Sequence, residues 1–249
     1  MILTAHRGES HIAPENTLAA FKLAWDWGAE AVELDVHMSL DRKIMVMHDG
    51  STSRTAGEDL IIKETNSSDL RKLDVGKWKG EQYAGEKIPF LGEALETIPP
   101  GKTLLMEIKC GVEALPIIND ILNASGKRSQ VISISFNLQV MTESKKLMPD
   151  LETVLIRSCP KDPETGERLP HSPDLIQTAL DANLDGLNLQ YHTMTQDYAD
   201  MVRAAGLKLW TWTSDDLEVI KQQIALGSER FGTNRRKWMA EQLAGLGVR

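Results

Sequence analysis

Short apolar runs alternate with longer stretches of mixed polarity along this chain, and the breaks between them fall on glycine, proline, asparagine and aspartate. The runs predict strands at 2–6, 30–36, 44–48, 103–109, 131–135, 152–157, 185–190, 207–212 and 230–233. Helix-like periodicity separates most of them, at 16–28, 112–124, 137–147, 195–205, 216–227 and 235–245. Asn16 or Thr17 supplies the first N-cap and Gly28 the stop. Such alternation means parallel βα units. The pair 30–36 and 44–48 breaks the rule, because residues 39–43 are too few for the crossover that parallel neighbours need. That pair is predicted to be an antiparallel hairpin. Setting its return strand aside leaves eight parallel strands, the count of a closed α/β TIM (β/α)8 barrel whose site lies at the strand C-terminal ends.

If the hairpin turns on the two residues Asp41-Arg42, His48 falls opposite Asp35, with Cβ atoms about 5 Å apart. A slip of one residue would send His48 to the other face. Residues 49–88, with Gly57, Gly76, Gly80, Gly85 and one helix-like piece at 67–73, read as an insertion near the barrel mouth rather than as a barrel helix. The connection 158–172 is rich in proline, glycine and charge, which makes it either a lid or a loose loop. The expectation is one barrel domain over residues 1–249.

Composition narrows the function. Charged residues make up 26% and apolar residues 41% of the 249, ordinary for a globular chain. A net charge of −8 argues against nonspecific binding to nucleic acid or to an anionic membrane, both of which need basic surfaces. No apolar run approaches the length of a membrane span. Cys110 and Cys159 are far apart and lack metal-ligand spacing, so free thiols in a reducing, cytoplasmic setting are expected. A signal peptide removed before Met1 is compatible with the same reading.

The chemistry gathers at the strand ends. The first strand delivers His6 and Arg7 into a turn at Gly8. In the second, Glu33 and Asp35 are two apart and so share one face. Glu107 and Lys109 repeat that arrangement at the end of the strand 103–109, where charges are costly unless paired or bound. With His48 these make three carboxylates, two cations and two histidines. A strand-end histidine or a Glu-x-Asp pair has an ordinary structural explanation when it stands alone; seven such residues together do not. With neutral histidines the charges sum to −1, which would repel an anion, and one divalent cation turns the sum to +1. Three oxygen ligands without cysteine suit a hard ion, Mg²⁺ or Ca²⁺. Two histidines beside such a centre could divide proton transfer, one removing a proton and one supplying it. Trp210 and Trp212 share a face, and Trp212, nearer the strand end, is the better substrate wall. His11, His37, His171 and His192 lack comparable company; Asp49 and Arg54 are expected to brace the turn after His48, and Glu15-Asn16-Thr17 to cap the first helix.

At these residues the chain resembles the glycerophosphodiester phosphodiesterase family of TIM-barrel enzymes. The resemblance rests on His6-Arg7-Gly8, Pro14-Glu15-Asn16-Thr17, Glu33-Leu34-Asp35, His48-Asp49, Ile88-Pro89-Phe90-Leu91, Glu107-Ile108-Lys109 and Trp212-Thr213, in family order over most of the chain. It implies His6 and His48 as the acid/base pair, Glu33, Asp35 and Glu107 as ligands of one divalent metal, Arg7 and Lys109 as phosphate binders, and 49–88 as the family's small insertion. It also implies attack on phosphorus by the glycerol's own hydroxyl, forming a cyclic phosphate that water opens to glycerol 3-phosphate. One departure is plain: where the family's last strand ends in an Asp-Arg-Pro-like sequence, this chain reads Asn234-Arg235-Arg236, with no consequence expected for the seven residues. Gln190-Tyr191-His192 is a further candidate for specificity. The rival readings are a related barrel phospholipase acting on phosphatidylinositol or a lysophospholipid, and a noncatalytic phosphodiester-binding module. A two-carboxylate carbohydrate hydrolase gives Arg7 and Lys109 no role.

Overall fold

In a computed structural model describing residues 1–247, eight parallel strands close into a barrel. They are β1 (Ile2–Ala5), β2 (Ala31–Met38), β4 (Thr103–Ile108), β5 (Val131–Ser135), β6 (Glu152–Arg157), β7 (Gly186–Gln190), β8 (Lys208–Trp212) and β9 (Arg230–Thr233). Closure comes from β1, which pairs with β2 on one side and β9 on the other. The odd strand, β3 (Ile44–Val46), runs antiparallel to the end of β2. All nine predicted strands are therefore present, and the ninth stands outside the barrel as expected.

The helices that return the chain are α1 (Leu18–Asp26), α4 (Leu91–Glu96), α5 (Leu115–Ser125), α6 (Leu138–Leu147), α7 (Asp174–Asp181), α8 (Gln196–Ala204), α9 (Leu217–Ala225) and α10 (Arg236–Gly245). Two of them, α4 and α7, had no counterpart in the predicted set: one is only six residues long and the other begins directly after Pro173. Alternate strand residues point outward under these helices, and the main apolar core is that shell, with Val32, Leu34, Val36, Met106 and Leu187 all buried. The inward residues Ala31, Leu105, Ile132, Ile134, Val154, Ile156 and Trp210 form a second apolar cluster inside the barrel. Glu33, Asp35 and Glu107 stand beside this cluster toward the strand C-terminal ends, where the site of such a barrel lies.

Residues 49–88 form short pieces, α2 (Ser53–Ala56) and α3 (Ser67–Leu70) with 3₁₀ turns, over a small core of Met45, Met47, Ile62, Leu70, Leu73, Val75 and Ile88. The helix foreseen at 67–73 spans only its first four residues. The hairpin register departs from expectation. Val36 pairs with Val46, His37 with Met45 and Met38 with Ile44, one residue off the pairing a two-residue turn would give. The turn is longer, because the Ser39 N–H donates to Lys43 O and Arg42 takes a left-handed backbone at φ +60°. Met47, not His48, therefore meets Asp35, through its N–H to Asp35 O at 3.0 Å.

Candidate active site

The end of β1 is set by two consecutive left-handed residues, Arg7 at φ +59° and Gly8 at φ +83°. At residue 8 a Cβ would lie 2.7 Å from Ala20 atoms, so only glycine fits against the first helix. This turn aims the Arg7 N–H at Glu33 Oε2, 2.9 Å away. The Arg7 side chain bonds Glu15 Oε1 through Nη1 at 2.9 Å, while Nε lies 3.5 Å from Asp35 Oδ2 and makes no hydrogen bond.

Parallel pairing of β2 with β4 puts Asp35 level with Glu107, and Glu33 stands one inward position below. All three are buried, and a carboxylate oxygen from each lies within 4.8 Å of the others. Lys109 Nζ donates to Glu107 Oε1 at 2.7 Å and approaches Asp35 Oδ1 at 3.2 Å, an ion-pair contact without hydrogen-bond alignment. Glu33 Oε1 and Asp35 Oδ1 are buried without a hydrogen-bond donor. Burial and the facing carboxylates hold Glu33 well above the usual glutamate range, and burial and Asp35 raise Glu107. Three converging oxygen ligands, two of them lacking donors, fit a divalent cation better than they fit one another.

Both histidines reach the same cavity of about 260 Å³. His6 Nδ1 is 2.7 Å from Asn234 Oδ1, and burial, Arg7 and His48 pull its pKa to about 4 against the opposing pull of Asn234 and Asp35. His48 Nδ1 is 2.6 Å from Asp49 Oδ1. Regular continuation of β3 in the observed register would carry His48 to the other face. The strand stops at Val46, and the following turn, fastened by His37 Nε2 to His48 O at 3.1 Å, brings the imidazole back to the mouth. All seven residues singled out in the sequence therefore line or border one site.

Trp212, half-buried, lines the cavity with its ring edge-on to Phe136 at 5.5 Å, and its Nε1 donates to Asn188 O. Trp210 is buried below it. Of the remaining histidines, His37 braces the turn, His171 is buried against Cys159 and Gln190 O, His192 stacks on Tyr191, and His11 is exposed. Cys110 and Cys159 are both free. Among the described residues no helix is long and apolar enough to cross a membrane.

Three expectations need correction. Thr17 caps α1, but Asn16 instead holds Asp35 through Nδ2 to Oδ2 at 2.8 Å. Asp49 and Arg54 do more than brace a turn, since Asp49 bonds the His48 ring and Arg54 ties Asp49 to Glu15. Asn234, expected to leave the seven residues untouched, contacts His6 directly. Reasoning by strand periodicity missed Thr4, Asn188 and Arg230, which line the same cavity from below. The pattern carried their signal: inward polar residues within otherwise apolar strands.

Residues 6–237 match the family described as the Glycerophosphoryl diester phosphodiesterase family. A glycerophosphodiester phosphodiesterase of Caldanaerobacter subterraneus subsp. tengcongensis is 32% identical over 94% of this chain and 93% of its own. Among solved structures, an Oleispira antarctica phosphodiesterase in complex with the product sn-glycerol-3-phosphate superposes with a TM-score of 0.88 at 27% identity, covering 98% of this chain and 97% of its own. A Thermotoga maritima glycerophosphodiester phosphodiesterase matches with a TM-score of 0.76 at 26% identity, covering 97% and 98%.

Proposed function

The chain belongs to the glycerophosphoryl diester phosphodiesterase family and is an enzyme of that activity; from this premise we propose that it hydrolyses glycerophosphodiesters to glycerol 3-phosphate and an alcohol, with one divalent metal and a histidine pair, over a single domain. The observation that carries the reading is the convergence of Glu33, Asp35 and Glu107 with His6, His48, Arg7 and Lys109 on one cavity.

Glu33, Asp35 and Glu107 would hold the cation, Mg²⁺ or Ca²⁺. Bound there, it would cancel carboxylate charge and supply Lewis-acid stabilisation of the phosphoryl group. Arg7 and Lys109 bring positive charge to the diester's anionic oxygens, and the Nε of Arg7 still has a hydrogen to donate. One histidine removes the proton from the glycerol hydroxyl next to the phosphate ester, whose oxygen forms a new bond to phosphorus. As the bond to the leaving alcohol breaks, the other histidine protonates that oxygen. Tethering the attacking hydroxyl to the phosphate supplies high effective molarity, so no side-chain nucleophile is needed. In the second half-reaction the roles reverse, and water opens the cyclic phosphate. Trp212 and Phe136 wall the cavity on the apolar side of the substrate.

The test is turnover of a panel of glycerophosphodiesters by the purified protein after chelation and after return of Mg²⁺ or Ca²⁺. Release of glycerol 3-phosphate that stops on chelation and resumes on add-back is the expected result. Binding without any release of glycerol 3-phosphate would overturn the enzyme reading, and preference for micellar phosphatidylinositol would favour the phospholipase.

A further inference from the structure

His6 is held by an amide, and that amide is itself held by a carboxylate. Asp215, in the loop between β8 and α9, accepts three hydrogen bonds: from Thr233 Oγ1 at 2.7 Å and the Asn234 N–H at 2.8 Å on Oδ1, and from Asn234 Nδ2 at 3.0 Å on Oδ2. The last contact removes the usual ambiguity of an asparagine side chain, because an amide oxygen would not face a carboxylate oxygen at that distance. Asp215 is ionised: burial alone would push its carboxyl up, but the hydrogen bonds from Asn234 and Thr233 hold it below the usual range. With Nδ2 turned to Asp215, Asn234 Oδ1 must face His6 Nδ1 at 2.7 Å. An amide oxygen only accepts, so Nδ1 carries the hydrogen.

We infer that the Asp215–Asn234 pair is a positioning device that locks His6 in its Nδ1–H tautomer and leaves Nε2 as the lone-pair nitrogen that takes the first proton. The inference rests on the proposed phosphodiesterase reading and settles its division of labour. Asn234 is neutral, so it orients the ring while favouring the imidazolium less than a carboxylate would. His48 is paired instead with the carboxylate of Asp49, which burial would push up but which hydrogen bonds from Arg54 and His48 keep ionised. A charged partner suits the histidine that must arrive protonated and give its proton to the leaving alcohol; a neutral one suits the histidine that must arrive unprotonated. The other charged or titratable groups around the His6 ring are Arg7 beside it, Asp35 from β2 and His48 from beyond β3. Arg7 and His48 oppose its protonation and Asp35 favours it. The asparagine at the end of β9 thus gives this base a neutral hydrogen-bond partner.

Two variants and a spectroscopic readout test this. In Asp215→Asn, the new amide keeps its oxygen on Thr233 and the 234 N–H, so its NH₂ faces Asn234. Asn234 must then rotate, its own NH₂ meets His6 Nδ1, and the hydrogen moves to Nε2. The expected outcome is a kcat loss of about tenfold or more with KM nearly unchanged, and a His6 tautomer seen by ¹⁵N NMR to change from Nδ1–H to Nε2–H. The exchange variant Asp215→Asn with Asn234→Asp restores the donor–acceptor order while placing a carboxylate on His6. Its kcat should recover, and the acidic limb of its pH–rate profile should move up by about 1 pH unit or more. A merely structural contact would leave that limb in place. An Asp215→Asn protein with the wild-type tautomer, or an exchange variant with an unshifted limb, overturns the inference. His6→Ala tests the underlying reading separately: full turnover in that variant sinks the reading itself, whereas its inactivity beside an unmoved tautomer sinks only the positioning role.

Discussion

Asn16 and Asp35 grip each other reciprocally: Asn16 Nδ2 donates to Asp35 Oδ2 at 2.8 Å, and the Asp35 N–H donates to Asn16 Oδ1 at 3.2 Å. Asn16 does this from a left-handed backbone at φ +57°, a conformation asparagine tolerates better than most side chains. It thereby ties the loop before α1 to the centre of the carboxylate triad and leaves Asp35 Oδ1 without a hydrogen bond. Asn16→Ala should weaken the affinity for the divalent cation by about 10- to 100-fold, as expected when a ligand loses its outer partner. At saturating metal its kcat should stay near wild type. Titration of activity against free Mg²⁺ or Ca²⁺ checks this, and an unchanged half-saturation point would remove Asn16 from the metal site.

His6→Ala and His48→Ala should each lose turnover by about 10² to 10⁴-fold while the circular dichroism spectrum is retained. Asp49→Ala should fall between wild type and His48→Ala, since His48 keeps its place but loses the carboxylate 2.6 Å from Nδ1. Arg54→Ala, two contacts away from the ring, should cost less than Asp49→Ala. Wild-type rates in both histidine variants would end the acid/base mechanism.

The barrel was legible because the strands repeat their alternation nine times and one short connection identifies the antiparallel member. The ligands were legible for the same reason: Glu33, Asp35 and Glu107 interrupt an inward-facing pattern that is apolar over much of the barrel. What periodicity could not supply was side-chain reach between elements distant in sequence. His6 and Asn234 are separated by 228 residues, and only the β1–β9 pairing that closes the barrel makes them neighbours. The hairpin register was missed because one left-handed residue, Arg42, lengthens the turn, and arginine gives no local signal for that conformation.

Metal binding should release protons. Glu33 is held well above its usual value near 4.5, first by burial and then by Asp35 and Glu107, and Glu107 is raised too. A carboxyl with a raised folded-state pKa keeps its proton where the unfolded chain has already lost it. Without metal, these two groups therefore lower stability as the pH climbs from about 4.5 through their folded-state values. A cation reverses this by favouring the ionised triad, so the rise in Tm on adding Mg²⁺ or Ca²⁺ should be larger at pH 8 than at pH 5. Differential scanning calorimetry at the two pH values, with and without chelator, is the check. Equal Tm shifts at both would show that the triad is not where the ion binds.

Arg230 enters the barrel from its lower end, buried over the Trp210 ring at 4.8 Å, with Nη1 lacking any hydrogen-bond partner. Burial draws its pKa down to about 10, and Glu152, Glu30 and Glu229 counter only part of that. A base whose folded-state pKa is depressed binds its proton less well than in the unfolded chain, so keeping it charged at neutral pH costs stability. Arg230→Met preserves much of the apolar stem and removes the charge. Its stability should hold or rise, by up to the ~1–4 kcal/mol gained when buried ions give way to well-packed apolar residues, and its Tm with it. The same substitution removes a positive charge from the wall of the cavity that holds the site, and Arg230 shares that wall with Arg7 and Lys109. KM for an anionic diester should therefore increase several-fold at low salt while kcat changes little. Thermal melts beside steady-state kinetics at two ionic strengths separate the two effects, and a Tm drop with unchanged KM would contradict both.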